Sequence, residues 1–406
     1  MGKLTFYKKT LAFCKIPWYY LTCVSGCGSA WLERRLREAE VASSNPAAPT
    51  RTNSEGCRFR SATFFRCFSA PRVRRPLPSV VPSSLFEPLS GRPCRQAASG
   101  RPLSEIAMDA LQKLLFVRAN ARGETVTLRD ELSRALAHRP LPLAVRRLAG
   151  EVTVAALLTA AALETDGSVL LQIAGDGPVK LVVVEVRRDL SFRVCVEMKP
   201  DAGEVDPNAG MTELVNASGN GRCALILDPE SRPADRQPYQ GIVPLEGKTF
   251  AEALEAYFRT SEQVETRILL AADDASAGGV MLQKMPVTGG TLPENYDPEA
   301  WDRLSMFAST VKSEELLTLD PTTINTRLFW EEEPRITREA TPVFRCACSD
   351  ERVENTIRGL GEADALQLVK EKGAIEVTCN FCGEVRRYDE VDVRALFANA
   401  NLNAKA

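Results

Sequence analysis

The chain has one histidine among 406 residues, His138. A Ser/His/Asp or Cys/His nucleophile set would have to be built around that single imidazole. No Gly-rich loop leads into a helix at phosphate-cradling spacing. The Gly175-Asp176-Gly177-Pro178 segment reads as a turn between two strands, and no helix follows it. No apolar run reaches the roughly 18 residues that a membrane helix needs, so no membrane partner is expected. Acid-poor sequence is confined to the start. Residues before Met108 carry 17 Lys plus Arg against 6 Asp plus Glu, out of 51 and 53 in the whole chain. The remainder is therefore acidic by 47 to 34. That balance argues against gripping a phosphate backbone, so no nucleic-acid partner is expected.

Residues 1–107 differ from the rest. Arg, Ser and Pro cluster there without helical or strand period, and the apolar start is broken by Lys15 and Pro17. This stretch is expected to be disordered, or an upstream artefact of start-site choice with Met108 as the working start. An organellar transit peptide is the alternative. Cys14, Cys23, Cys27, Cys57, Cys67 and Cys94 have irregular spacing and no assigned role.

From Met108 onward the pattern predicts an α+β fold with a mostly antiparallel sheet, a helical linker and a small C-terminal metal-binding domain. Residues 108–287 form the first domain. A short helix is expected over residues 109–116, with Asp109 as cap and Gln112 at the capping-box position. A strand follows over 122–128, then helices over 130–138 and 143–163, the second of them core. Strands are expected at 169–174, 179–186, 192–198 and 224–227. Thr249 and Glu252 form a capping box for a helix over 250–258, and 266–271 pairs with 280–284. Residues 288–343 read as a metastable linker docked on that domain. Asp297 and Pro298 would open its helix, and Pro321 would break the apolar run.

The chemistry lies in residues 344–406. Cys346-Ala-Cys348 and Cys379-Asn-Phe-Cys382 are separated by 30 residues. Paired cysteines repeated at a distance mark a tetrahedral thiolate zinc site, so Cys346, Cys348, Cys379 and Cys382 are the expected ligands of one Zn²⁺. Gly383 allows φ > 0 after the second pair. Gly359 and Gly373 are expected to end two short helices between the pairs, and residues 374–378 a strand delivering Cys379. Arg345, Arg352, Arg386 and Arg387 lie nearby in sequence. His138 is expected at a helix end, not as a ligand. About 60 residues make a thin core, so metal loss should unfold the domain. Two rival readings are a zinc-ribbon nucleic-acid binder and a thiol–disulfide oxidoreductase using Cys379 and Cys382. The acidic body weighs against the first; the second cysteine pair and Gly383 weigh against the second.

Phe344-Arg-Cys-Ala-Cys-Ser349, Glu351-Arg352, Gly373-Ala-Ile-Glu-Val-Thr-Cys-Asn-Phe-Cys382 and Tyr388 together resemble the zinc domain of the 33 kDa chaperonin (heat shock protein 33) family. Upstream, Tyr239-Gln-Gly-Ile-Val-Pro-Leu245, Tyr257-Phe258, Ser261-Glu-Gln-Val264, Arg122-Gly-Glu124 and Arg327-Leu-Phe329 also look like that family. The resemblance covers Met108 to the end; the segment Ser191-Phe-Arg-Val-Cys195 departs from it. It implies a cytoplasmic, ATP-independent holdase, not an enzyme, inactive while reduced and zinc-bound. Oxidation would convert the four cysteines to disulfides, release zinc, unfold the linker and favour a homodimer over the reduced monomer. The partners would be unfolding client proteins. Neighbouring cysteines are the expected bridges, Cys346–Cys348 and Cys379–Cys382, because tight turns hold each pair close. Cys195 and Cys223 receive no role.

Overall fold

A computed structural model of the chain describes residues 11–12, 109–231, 237–286 and 292–403. The expectations for residues 1–107 fall, apart from Leu11 and Ala12, outside the described residues. Among the described residues no helix is long and apolar enough to cross a membrane.

Two sheets enclose one long helix. The first sheet uses β1 (Ala110–Phe116) and β2 (Ala121–Leu128), and later β8 (Thr266–Ala272), β9 (Ala277–Lys284) and β10 (Arg335–Ala340). Its order is β10-β1-β2-β9-β8, and all its pairs are antiparallel. Helices α1 (Asp130–Leu136) and α2 (Leu143–Leu163) follow β2. The second sheet uses β3 (Ser168–Ala174), β4 (Val179–Arg187), β5 (Ser191–Met198), β6 (Arg222–Asp228) and β7 (Tyr239–Pro244), with the short α3 (Met211–Val215) before β6. It is completed by β11 (Val343–Phe344), which lies on the β5 edge and is the one strand of this sheet that pairs parallel. From Val152 to Ala162 every residue of α2 is buried and none is charged, as a helix covered all round requires. Its Val145, Leu148, Val152, Leu157 and Leu158 share a core with Val126 and Leu128 of the first sheet and Val169, Val182 and Val194 of the second. α4 (Phe250–Thr260) closes one end through Phe250, Leu254 and Tyr257. This is the mixed α+β, antiparallel fold that the residue pattern predicts.

Local differences have physical causes. Residues 110–116 are a strand, not a helix, because their side chains are covered on alternate faces. Leu111 joins the α2 core, while Leu114 and Phe116 join a separate cluster on the other face. Asp109 caps a different element. Its carboxylate accepts the backbone N–H of Arg129 at 2.5 Å and of Glu131 at 3.2 Å, at the start of α1. The α4 capping box is half formed. Thr249 Oγ1 accepts the Glu252 N–H at 3.2 Å, but the Glu252 carboxylate takes the Lys248 N–H instead.

Beyond β9 the chain forms α5 (Ala300–Ala308), α6 (Ser313–Thr318), α7 (Pro321–Phe329) and a 3-10 turn, Trp330–Glu332. α5 starts at Ala300 because Asp297 accepts the Glu299 N–H and pairs with Arg303, which fixes an entry turn instead of the cap itself. Pro321 opens a helix: it occupies the first position of α7, and Asp320 caps it by accepting the Thr323 N–H at 3.1 Å. Leu304, Ala308, Leu316, Ile324 and Phe329 pack on Leu114, Phe116, Val280 and Leu282 of the first sheet. Phe116 and Phe329 meet edge to face at 5.3 Å. A buried polar row crosses the same seam. Thr125 donates to Asn325 at 2.6 Å, Asn325 to Gln112 at 2.9 Å, and Gln112 to Thr322 and Glu339, both at 2.8 Å. The stretch assigned wholly to the linker also supplies β10, which pairs with β1. Its Arg-Ile-Thr-Arg-Glu-Ala composition suits a solvated edge strand and carries little apolar signal.

Glu124 is a stress point in the body. It is fully buried on β2 across from Lys113, and both carboxylate oxygens lack a hydrogen-bond partner. Burial pushes its carboxyl up to about 7, opposed by Arg122 and Lys113. Between its unfolded value near 4.5 and about 7 the folded state holds the extra proton. Stability is therefore full below the lower value and falls as pH rises through the upper one. Glu124→Gln should remove this loss. Thermal melts should show the variant more stable than wild type at pH 8, by up to about 3 kcal/mol, and little changed at pH 4.5. A melting-temperature difference that does not depend on pH would contradict this account.

Candidate metal centre

The first cysteine pair is delivered by β11. The Phe344 N–H donates to Glu131 of α1 at 2.7 Å, and the Arg345 N–H to the Phe192 carbonyl of β5 at 2.9 Å. Cys346 and Cys348 thus leave a fixed strand end. They enter α8 (Asp350–Leu360), which Ser349 caps through the Arg352 N–H. α9 (Glu362–Lys372) follows. Gly359 lies inside α8; the break falls at Gly361, and Gly373 ends α9 in the left-handed conformation.

The second pair sits on a hairpin of β12 (Ile375–Thr378) and β13 (Val385–Tyr388), before the terminal α10 (Glu390–Asn403). The Cys379 N–H donates to the Glu384 carbonyl and the Gly383 N–H to the Cys379 carbonyl, each at 2.9 Å. Gly383 has φ +74, the left-handed value expected from its place after the pair. The apolar support is small: Val353, Ile357, Ala365, Val369, Ile375, Val377, Val393 and Leu396.

These elements bring all four cysteines together, with their Sγ atoms within 4.8 Å of one another. Cys346 lies 3.6 Å from Cys379, and Cys348 lies 3.5 Å from Cys382. Four sulfurs about 2.3 Å from one ion stand about 3.8 Å apart in a tetrahedron, so the donor set and its spacing fit Zn²⁺. Burial pushes the Cys382 thiol up; the Glu384 amide pulls it down, and Cys348 and Cys379 push it further up. Of the four nearby arginines, Arg386 turns to the site, bonding Cys348 as well as Asp350 and Glu384. Arg352 donates to the Ala347 carbonyl between the first two ligands. Arg345 pairs with Asp189 and Arg387 with Glu376, both away from the sulfurs.

The hairpin is not free-standing. His138, two residues past α1, donates from Nε2 to the Asn380 carbonyl at 3.2 Å. Arg139 donates to the Val196 carbonyl of β5 and to Asn380 Oδ1, both at 2.6 Å. The Arg193 guanidinium lies 4.4 Å from the centroid of the Phe381 ring, and Arg193 is itself paired with Glu185. Sequence reasoning missed Arg139, Arg193 and Glu185. The available signal was an arginine inside the otherwise apolar run Ser191-Phe-Arg-Val-Cys195, where the quoted pattern already departs from its family.

Cys195 shares the outer face of β5 with Arg193; burial pushes its thiol up to about 11. Cys223 faces the α2 core, and burial pushes it up to about 12. Both are poor nucleophiles in this state. The Ser261-Glu-Gln segment is structural in this fold. Glu262 accepts the hydroxyls of Tyr239 at 2.7 Å and Tyr257 at 2.6 Å. Gly241 is needed there, because a Cβ would lie 1.9 Å from the Tyr257 hydroxyl.

A model of the family described as Hsp33 protein matches residues 109–389. A 33 kDa chaperonin of Methylobacillus flagellatus is 40% identical over 290 residues, covering 71% of this chain and 94% of the relative. One from Chromobacterium violaceum is 38% identical over 289 residues, with 71% and 94% covered. The crystal structure of a 33 kDa chaperonin (heat shock protein 33 homolog) from Thermotoga maritima superposes with a TM-score of 0.60 at 21% identity, covering 72% of this chain and 99% of that one. The four-cysteine cluster, the two-sheet body and these matches agree, and the chain belongs to the Hsp33 family.

Proposed function

We propose that this protein is a redox-regulated, ATP-independent holdase, a binding protein and not an enzyme, that captures unfolding proteins under oxidative stress. Chaperone function follows from the names of its relatives. The regulatory reading rests on one observation: four cysteines converge within 4.8 Å on a domain whose core cluster, among the described residues, has eight buried apolar side chains. Cys346, Cys348, Cys379 and Cys382 would hold one Zn²⁺, which supplies the positive charge that keeps them as thiolates. Structural zinc contributes on the order of 10–16 kcal/mol of apparent folding energy, against a net stability of about 5–15 kcal/mol for a whole domain. Formation of each disulfide transfers two electrons from two thiolates to an oxidant such as hydrogen peroxide, which takes up two protons and leaves as two waters. Four ligands lost this way release the zinc, and the domain has too little core to stay folded.

The linker, residues 288–343, would then lose its neighbour. It carries Leu304, Leu316, Ile324 and Phe329 on its buried side, with acids between them. Released, such a segment can cover apolar surface on a client while its charge keeps the complex soluble. We take the reduced protein to be a monomer and the oxidised one a homodimer, in the cytoplasm. An organellar site is the alternative if residues 1–107 act as a transit peptide. The oxidoreductase alternative is weaker, because Cys379 and Cys382 sit in a hairpin turn and not at the start of a helix.

Three outcomes test this reading. Metal analysis of the reduced protein should give one zinc per chain, and the paired variant Cys379→Ser/Cys382→Ser should lose it; full retention would refute the ligand set. Peptide mapping after peroxide should find Cys346–Cys348 and Cys379–Cys382 bridges, with the tighter Cys-Ala-Cys ring reduced first; bridges only between the pairs would reject the pairing. Hydrogen exchange after peroxide and mild heat should show residues 292–403 losing protection as suppression of client aggregation rises. Activity that rises with protection unchanged would rule out release by unfolding.

A further inference from the structure

The Phe381 contact on β5 has the form of a bound ligand in a prepared seat. Strand alternation sends Phe192, Val194 and Val196 into the α2 core and leaves Arg193, Cys195 and Glu197 on the opposite face. Phe381 covers that face and is 1% exposed, its ring against the Arg193 guanidinium. The guanidinium is held by the body: Arg193 Nε donates to Glu185 Oε2 at 2.8 Å, and Glu185 belongs to β4. The neighbouring donor is held in the same way. Arg139 is tied to the Val196 carbonyl and offers its other nitrogen to the Asn380 side chain. Glu185 and Val196 lie outside the cysteine domain. Departure of the hairpin therefore leaves an oriented guanidinium face on β5 and, beside it, the Arg139 donor tied to that strand.

We propose that this seat is a client subsite selective for aromatic side chains, filled by the protein's own Phe381 while the cysteine domain is docked. The proposal rests on the holdase reading and adds to it a site on the body and a preferred chemistry. Unfolding proteins expose Phe, Tyr and Trp that native states bury. A ring presents a negative face to a fixed guanidinium; a leucine of similar hydrophobicity does not. The same hairpin that carries two of the sulfurs carries the ring. Loss of the hairpin's fold and opening of the seat are thus one event.

The test uses the full chain, oxidised with peroxide, and two labelled twelve-residue peptides that are identical except that their apolar positions are Phe in one and Leu in the other. Anisotropy should show the Phe peptide bound roughly 2- to 30-fold more tightly, the range a cation–π contact supports. The paired variant Arg193→Met/Glu185→Gln leaves no lone buried charge; it should bind the Leu peptide as wild type does and lose the Phe preference. If that variant melts well below wild type, Arg193→Lys carries the test, since it keeps the charge but lacks the planar face, and its Phe preference should shrink. Equal affinity of the oxidised wild type for both peptides, or a preference that survives these substitutions, overturns the seat. Aggregation suppression measured on the same preparation separates the two ideas. Suppression without aromatic preference sinks the seat and spares the holdase. An oxidised chain that neither suppresses aggregation nor binds either peptide sinks the holdase reading and the seat with it.

Discussion

Four sulfurs within 4.8 Å of one another can all be ionised only with a cation among them, since like charges at that range drive each other's protons back on. The arrangement of residues 344–403 follows from this. The hairpin turn at Gly383, the Ser349 cap and the Arg386 side chain place or neutralise sulfur. The apolar cluster behind them is small, eight buried side chains among the described residues. The body shows the opposite economy. α2 is wrapped by two sheets, and its cysteines, Cys195 and Cys223, are buried and inert.

Between these extremes lies the helical stretch α5 to α7. It packs well, with Phe329 against Phe116, yet its seam also contains Thr125, Asn325 and Gln112 bonded in a row. Such groups recover their hydrogen bonds from water when the seam opens, so they contribute little to holding it shut. They do fix its register, because a shifted seam would leave them buried and unpaired. An interface of this kind is specific without being strong.

The sequence was most informative where a local rule suffices. The convergence of Cys346, Cys348, Cys379 and Cys382 and the φ of Gly383 follow from spacing and backbone sterics, and α2 from its richness in Ala, Leu and Val. It misled where partners are distant. Residues 110–116 have a helix-like cap at Asp109, but that carboxylate serves α1, and alternate burial makes the segment a strand. Pro321 opens a helix because Asp320 precedes it. β10 was invisible because an edge strand needs no apolar face. The Arg139 and Arg193 contacts with the hairpin join segments far apart in the chain; the arginine within Ser191-Phe-Arg-Val-Cys195 marks the place, but its sequence neighbours do not name its partners.

The step of the chain from β10 to β11 has a mechanical consequence. Within ten residues it runs along the margin of one sheet and then along the margin of the other, just before Cys346. Stripping it away would turn β1 and β5 from interior strands into boundaries. Each would present a line of backbone amides and carbonyls with nothing opposite. The opened molecule would then be adhesive through main chain as well as side chain, and adhesive to any extended segment, its own twin included. A protein proposed to work by coming apart must limit how far the tear runs, and the charged Arg-Ile-Thr-Arg-Glu composition of β10 suits a strand that can peel off and remain in water.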